Sequence, residues 1–315
     1  MDLRIIFMGT APLACSSLKL LVRQPEWKVA AVVTQPDRPK GRNLSLQFSA
    51  VKEVAISEGL SVLQPERARN PEFLIQLAEL RPDLIVVAAY GQILPQSVLD
   101  LPRFGCLNVH TSLLPKYRGA APIQWAILED QPETGVTLMK MDAGLDTGDI
   151  LSTVSTPITP EDNAQSLHDR LAQLGAELLV KTIPNYVFGT LKPVPQPAEG
   201  ATYARKISKE DGHLSWGQPA RVLWNRVRAL TPWPGAFTHL AREPKPVLLK
   251  IWESQVAGDT QGTPGHIIQA DKNGIVVACK DGGLRLTVVQ KEGGRRMTAQ
   301  EFLAGHSLKS GDCLA

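Results

Sequence analysis

Short runs of β-branched and aliphatic residues recur through the first half of the chain, at 4–8, 29–34, 83–90, 107–110 and 137–141. Helix-length segments lie between them, at 50–58, 71–80 and 120–129. Alternation of this kind predicts βαβ units around a parallel sheet. The runs are apolar nearly throughout rather than at every second position, as strands covered on both faces must be. Thr159-Pro160-Glu161-Asp162 offers an N-cap, a first-turn proline and two early acids. Leu167, Leu171, Leu174 and Leu178 follow at spacings of three and four, which predicts one apolar stripe on a long helix packed against the sheet.

The pattern ends near Gly189. Residues 190–206 hold Pro193, Pro195, Pro197 and Gly200, the composition of an extended, semi-rigid connector. Beyond it, Trp216, Trp224, Val227 and Leu230 suggest one helix. Strand-like runs at 247–252, 266–270, 274–279 and 284–289, separated by Gly-rich turns, predict a small OB-like β-barrel. The expected architecture is therefore α/β: a Rossmann-like open, mostly parallel sheet in a catalytic domain over 1–189, a Pro-rich linker over 190–206, and an OB-like barrel over 207–315. A chain of 315 residues is long enough for two such domains.

Composition adds little until it is divided along the chain. The 34 Lys and Arg against 31 Asp and Glu give only +3, too little to mark the whole molecule as a polyanion binder. Residues 1–189 are net −3 and residues 190–315 net +6, a division suited to a bipartite enzyme with a nucleic-acid substrate, though ordinary scatter on a solvated surface gives the same count. Cys15, Cys106, Cys279 and Cys313 are far apart and the six His are scattered, so no metal site and no disulfide frame is expected. No run approaches the roughly 18 apolar residues of a spanning helix, so no membrane association is expected. The apolar start, broken by Gly9-Thr10 and Pro12, reads as a first strand rather than a signal peptide.

Open α/β sheets bind ligands where strands end, so polar residues at strand exits are the candidates. Asn108-Val109-His110 ends one strand, and its i, i+2 spacing points the Asn amide and the imidazole to the same side. A loop over 111–119 follows. A second loop, Met141-Asp142-Ala143-Gly144-Leu145-Asp146-Thr147-Gly148-Asp149, also leaves a strand. In acyl or formyl transfer to an amine, a carbonyl oxygen gains negative charge while the nitrogen loses a proton. Asn108 and a protonated His110 can donate to that oxyanion. Asp146 can hold His110 protonated and assist removal of the amine proton. Each has a plainer reading as well: a structural histidine, a turn-forming Asn, an Asx-turn at Asp146. There is no G-x-S-x-G, P-loop, H-E-x-x-H or G-x-G-x-x-G.

Read together, these residues resemble the folate-dependent formyltransferases. The similarity rests on Phe7-Met8-Gly9-Thr10, on Thr34-Gln35-Pro36-Asp37-Arg38-Pro39 with Gly41-Arg42, on Val86-Val87-Ala88-Ala89-Tyr90-Gly91-Gln92-Ile93-Leu94-Pro95, and on Gly105-Cys106-Leu107-Asn108-Val109-His110. It continues through 112–124, 133–137 and 141–149, and through Thr202-Tyr203-Ala204 and Lys206-Ile207-Ser208-Lys209-Glu210. The resemblance implies transfer of the formyl group of 10-formyltetrahydrofolate to the α-amino group of methionine carried on initiator tRNA, without a metal. It assigns catalysis to Asn108, His110 and Asp146. Tetrahydrofolate is expected against Ser112, Leu113, Leu114 and Pro115, and near Tyr90, Gly91 and Asp142. Arg42 and Lys206 are implicated in tRNA binding, with the barrel as a tRNA-binding appendage. The loop after Arg42 departs from the family pattern: Asn43-Leu44-Ser45 stands where lysines are usual. A monomer in the bacterial cytoplasm is expected. The rival acceptor is an amino-sugar nucleotide, and the rival class is a non-catalytic folate or nucleotide binder, which has no need of a carboxylate beside His110.

Overall fold

Two compact units divide the chain in the computed structural model, which describes residues 3–40, 45–241, 246–258 and 260–315. One comprises Met1–Pro122, Glu133–Pro157 and His168–Ala204; the other comprises Ile123–Pro132, Ile158–Leu167 and Arg205–Ala315. In chain order the elements begin with β1 (Leu3–Gly9), α1 (Leu13–Val22), β2 (Trp27–Val33), β3 (Arg38–Lys40), β4 (Ser45–Gln47), α2 (Ala50–Ser57), β5 (Val62–Leu63) and α3 (Pro71–Glu79). Then come β6 (Leu84–Ala88), α4 (Gln96–Leu99), β7 (Cys106–His110), β8 (Arg118–Gly119), α5 (Pro122–Leu128), β9 (Glu133–Lys140), β10 (Ile150–Pro157), α6 (Ala164–Val187) and β11 (Tyr203–Ala204). The remainder are α7 (Ala220–Ala229), β12 (Ala236–Leu240), β13 (Val247–Ala257), β14 (Ile267–Asp271), β15 (Gly274–Ala278), β16 (Gly283–Lys291), β17 (Met297–Thr298) and α8 (Ala299–Gly305).

The sheet of the first unit runs β10-β9-β7-β6-β1-β2-β5. Its strands from β7 to β5 are parallel, whereas β9 and β10 pair antiparallel at one edge. The central strands are apolar on both faces because both are covered: every residue of β6 is buried, and Ile6, Met8, Ile85 and Val87 pack with Phe73 and Leu77 of α3 on one side.

α6 departs from the expected start and stripe. Its first N–H groups are capped by Asn163, whose side chain accepts from Gln165 N and Ser166 N at 2.8 and 3.0 Å. Thr159 to Asp162 form instead a turn closed by Asp162 on Thr159 N at 2.8 Å. The buried ridge is Leu167, Leu171, Gly175, Leu179 and Ile183, at steps of four, while Leu174 and Leu178 are only half-buried. Gly175 is there for space: a Cβ on it would stand 2.7 Å from Val109 Cγ1, so the helix backbone lies directly on the back of β7.

The second unit is an antiparallel sheet ordered β12-β13-β16-β15-β14, with β17 on β16. Its edges are joined by the last residues. His239 and Ala315 exchange backbone hydrogen bonds at 2.8 and 2.9 Å, and Ile267 N donates to Asp312 O at 2.8 Å, which closes the sheet into a barrel. Leu249, Ile251, Val277, Leu284 and Leu286 fill it with Leu223 and Val227 of α7 and Phe302 of α8. Trp216 precedes α7 rather than belonging to it, because Pro219 sets the helix start. This unit also takes in two inserted segments. Arg221 grips Asp130 at 2.8 Å and holds its carboxyl below the usual range, and Arg228 donates to the carbonyls of Thr159 and Asp162. Among the described residues no helix is long and apolar enough to cross a membrane.

Candidate active site

Strand β7 alternates as its spacing requires. Val109 is buried against Gly175 on one face, so Asn108 and His110 point to the other. Lys140, where β9 ends, stands opposite Leu107 near the start of β7, and the loop that follows folds back to bring Asp146 above the strand.

Three polar groups meet there. His110 Nδ1 is 3.7 Å from Asp146 Oδ2, with the imidazole 6% and the carboxylate 14% exposed. Asn108 Nδ2 donates to Asp146 Oδ1 at 3.4 Å, and Gly119 N donates to Asp146 Oδ2 at 2.8 Å. Asp146 adopts φ +52, a left-handed conformation that Asp and Asn tolerate better than other side chains.

His110 Nε2 is 2.9 Å from the carbonyl oxygen of Tyr117. A carbonyl has no proton to give, so Nε2 is the donor and the neutral tautomer is fixed. The second nitrogen, Nδ1, accepts in that state and donates once protonated. Its 3.7 Å separation from the carboxylate exceeds a hydrogen bond, which leaves that nitrogen able to serve a third atom. Tyr117 is itself held, with its N–H donating to Thr202 Oγ1 at 2.9 Å. Arg118 and Gly119 pair in parallel with Tyr203 and Ala204. Thus residues 203–204, at the end of the Pro-rich stretch, form a short strand beside the site. No spacing or composition in the sequence pointed to Tyr117, Thr202 or Gly175.

The other expected site residues are distributed as follows. Ser112 is fully buried and spends its hydroxyl on Lys116 O at 2.6 Å. Thr137 Oγ1 ties the loop to β9, donating to Ser112 O at 2.7 Å and accepting from Leu114 N at 3.1 Å. Leu113 and Pro115 are half-buried, whereas Leu114 is buried. Tyr90 lies in the core with Leu94 and Val98; burial pushes its phenol up to about 12, and the hydroxyl has no partner among the described residues. Its ring is therefore part of the scaffold, and its carbonyl accepts from Thr10 and Gln35. Gly91 is exposed at φ +82. Asp142 is exposed and accepts from Gly144 N at 3.0 Å and from Thr147 Oγ1 at 2.8 Å. Cys106, at the start of β7, is kept a thiol by burial, which pushes it up to about 12, so no thiolate nucleophile stands here. Lys206 is exposed in the second unit. Arg42 lies outside the described residues. Among them no cluster of His, Cys, Asp or Glu is arranged to hold a metal ion.

Comparison with known proteins gives the family of the chain. The sequence model described as formyl transferase matches residues 3–183, and that described as formyl transferase, C-terminal domain, matches residues 206–307. A methionyl-tRNA formyltransferase of Citrifermentans bemidjiense is 49% identical over 312 residues, covering 99% of this chain and 96% of the relative. That of Geobacter metallireducens is 50% identical over 309 residues, covering 98% and 97%. Among solved structures, an N-formyltransferase of Helicobacter canadensis in complex with folinic acid and dTDP-3-aminofucose superposes with a TM-score of 0.65 at 20% identity, covering 92% of this chain and 100% of that one. A sugar 3N-formyl transferase, WlaRD, reaches a TM-score of 0.67 at 19% identity, covering 92% and 98%. At such identities the likeness is one of fold. The two matched sequence models and the near full-length relatives show that the chain belongs to the formyl transferase family, among its methionyl-tRNA formyltransferases.

Proposed function

We propose that this enzyme transfers the formyl group of 10-formyltetrahydrofolate to the α-amino group of methionine esterified to initiator tRNA. The observation that carries the chemistry is the meeting of Asn108, His110 and Asp146 on one face of β7. The acceptor is supported by the near full-length similarity to methionyl-tRNA formyltransferases.

The amine nitrogen attacks the formyl carbon, forming a C–N bond and an oxyanion. Collapse breaks the bond from that carbon to the folate nitrogen, which takes up a proton as the attacking nitrogen loses one. Asn108 Nδ2 and protonated His110 Nδ1 donate to the oxyanion, and each such donor is typically worth about 10²- to 10³-fold in rate. The Asp146 carboxylate stabilises the imidazolium and receives the amine proton, directly or through a water. The folate lies along Leu113, Leu114 and Pro115, with the backbone at Tyr90 and Gly91 and the loop from Asp142 as its further walls. Ser112 contributes by shaping that segment, since its hydroxyl is already bonded to Lys116 O. The chemistry uses no metal.

Residues 1–189 carry catalysis, 190–206 link the two parts while bracing the site, and 207–315 bind tRNA, with Arg42 and Lys206 as phosphate-contacting cations. The net +6 of residues 190–315 supports this division. A monomer in the bacterial cytoplasm is the setting that fits this role. The likeness to sugar N-formyltransferases raises an amino-sugar nucleotide as a second acceptor. Offering the enzyme 10-formyltetrahydrofolate with charged initiator tRNA and an amino-sugar nucleotide in competition tests the assignment: formylation confined to the aminoacyl-tRNA is expected, and preferential formylation of the sugar overturns it.

A further inference from the structure

We propose that Gln196, in the Pro-rich stretch, is the positioning residue that holds Asp146 over the imidazole. Gln196 Nε2 donates to the carbonyl oxygens of Asp146 and Gly148, both at 2.8 Å. Its Oε1 accepts from Arg118 Nε at 3.1 Å and from Arg118 Nη2 at 2.6 Å. Only one orientation of the amide satisfies these partners, because carbonyls cannot donate and a guanidinium cannot accept. Two donors and two lone pairs are all filled, so the side chain is saturated by a single clamp.

The clamp joins the two strands of chain that define the carboxylate. Arg118 precedes Gly119, whose N–H donates to Asp146 Oδ2 at 2.8 Å. The bonds from Gln196 grip the Asp146 loop from its backbone side while Gly119 grips its side chain. Such bracing is what a non-glycine residue at φ +52 requires, since that conformation persists only where its surroundings over-determine it. The loop is tied to β7 at its start, where Met141 N donates to Cys106 O at 2.8 Å, and by the long bond from Asn108 to the Asp146 side chain. The ties from Asp142 to Gly144 N and Thr147 Oγ1 are internal, which leaves Gln196 to hold the backbone around Asp146 itself. Without Gln196 the carbonyls of Asp146 and Gly148 lose their donors, the peptides can rotate, and the carboxylate leaves its place beside Asn108 and His110. The bridge between Ile150 and Val194, with mutual backbone bonds of 2.8 Å, anchors the stretch two residues upstream.

The proposal rests on the formyl-transfer reading for its kinetic consequence but not for its structural one. Two variants test it. Gln196→Leu removes all four bonds; Gln196→Glu keeps the acceptor for Arg118 but turns a carboxylate toward the two carbonyls. In both, single-turnover formyl transfer is expected to fall by about 10- to 100-fold, the usual cost of misplacing a reacting group by roughly 1 Å. The KM for each substrate is expected to stay within about threefold of wild type, because the lost interaction acts in the chemical step. In an Asp146→Asn background the same substitutions are expected to change the rate by less than about threefold, since they act through that carboxylate. Hydrogen exchange gives a readout independent of activity. The Gly119 amide is expected to exchange at least about tenfold faster in either variant, with the amides of β6 unchanged as the control for global opening. Unchanged Gly119 protection overturns the clamp, as does a rate loss that persists undiminished beside Asp146→Asn. Wild-type enzyme unable to transfer formyl would refute the functional reading alone and leave the exchange comparison to decide this one.

Discussion

Replacing Asp146 by Asn isolates the charge at the centre of the site. The carboxylate lies 3.7 Å from His110 Nδ1. Two unit charges at that distance interact by about 4 kcal/mol at an effective dielectric of about 20 and by about 1 kcal/mol in bulk water. With exposures of 6% and 14%, the pair lies between these limits, and a loss of about 2 to 3 kcal/mol of imidazolium stabilisation is about 30- to 150-fold in rate. The substitution is otherwise mild. Asn has the same shape, retains an oxygen for Gly119 N, gives up only the long 3.4 Å bond from Asn108 Nδ2, and adopts the left-handed backbone as readily as Asp, so Tm is expected to move by less than about 4 °C. The assay is single-turnover formyl transfer with saturating donor and charged tRNA, alongside a thermal melt. A rate within about threefold of wild type, under 1 kcal/mol of barrier, in a protein with unchanged Tm would refute the role given to Asp146.

Other consequences are equally open to measurement. Gly175→Ala sets a methyl 2.7 Å from Val109 Cγ1, and the strain is expected to exceed the gain in helix propensity, costing about 1 to 2 kcal/mol and lowering turnover. Gly175→Ala combined with Val109→Ala relieves the clash, and a Tm no higher in the double variant than in Gly175→Ala would contradict it. Tyr90→Phe removes a buried hydroxyl that has no partner among the described residues, so unfolding stability is expected to be unchanged or raised by about 1 kcal/mol. The KM for the folate donor should not move, and a clear rise would show the phenol itself contacts the ligand. Arg42→Ala and Lys206→Ala are each expected to raise KM for tRNA and to flatten its salt dependence by about one charge, with folate KM unchanged; an unaltered tRNA KM with an unaltered salt slope removes them from the interface.

The parts of this fold that read well from sequence are those set by local pattern. β6 is a continuous apolar run because the sheet is covered on both faces, and in β7 the i, i+2 spacing of Asn108 and His110 survives intact over the back support of Val109. What did not read well is set by distant partners. Thr159 has the chemistry of an N-cap, yet Asn163 caps α6 because the turn at 159–162 is closed by Asp162. The leucine spacing suggested Leu174 and Leu178 on the buried stripe, whereas packing against β7 selects Gly175 and Leu179. Proline content indicated that 190–206 is extended, but composition carries no record of what an extended strand bonds to. Thr202 and Gln196 act on residues about 50 to 85 positions away. Barrel closure by the 311–315 segment is invisible for the same reason: five residues without strand character make isolated bridges only between the two edges they join.

The central claim is that Asn108, His110 and Asp146 act as one unit on a single formyl carbon. The most direct measurement is the rapid-quench single-turnover rate of formyl transfer from 10-formyltetrahydrofolate to methionyl-tRNA, with the released amino acid identified by mass spectrometry, for wild type, the three single variants Asn108→Ala, His110→Ala and Asp146→Asn, and the triple variant. N-formylmethionine is expected from wild type, with a loss of at least about 10²-fold in the His110 and Asp146 variants and a triple variant scarcely slower than the worst single one, as for residues that act together. Losses that simply multiply, or single variants as fast as wild type, would contradict it.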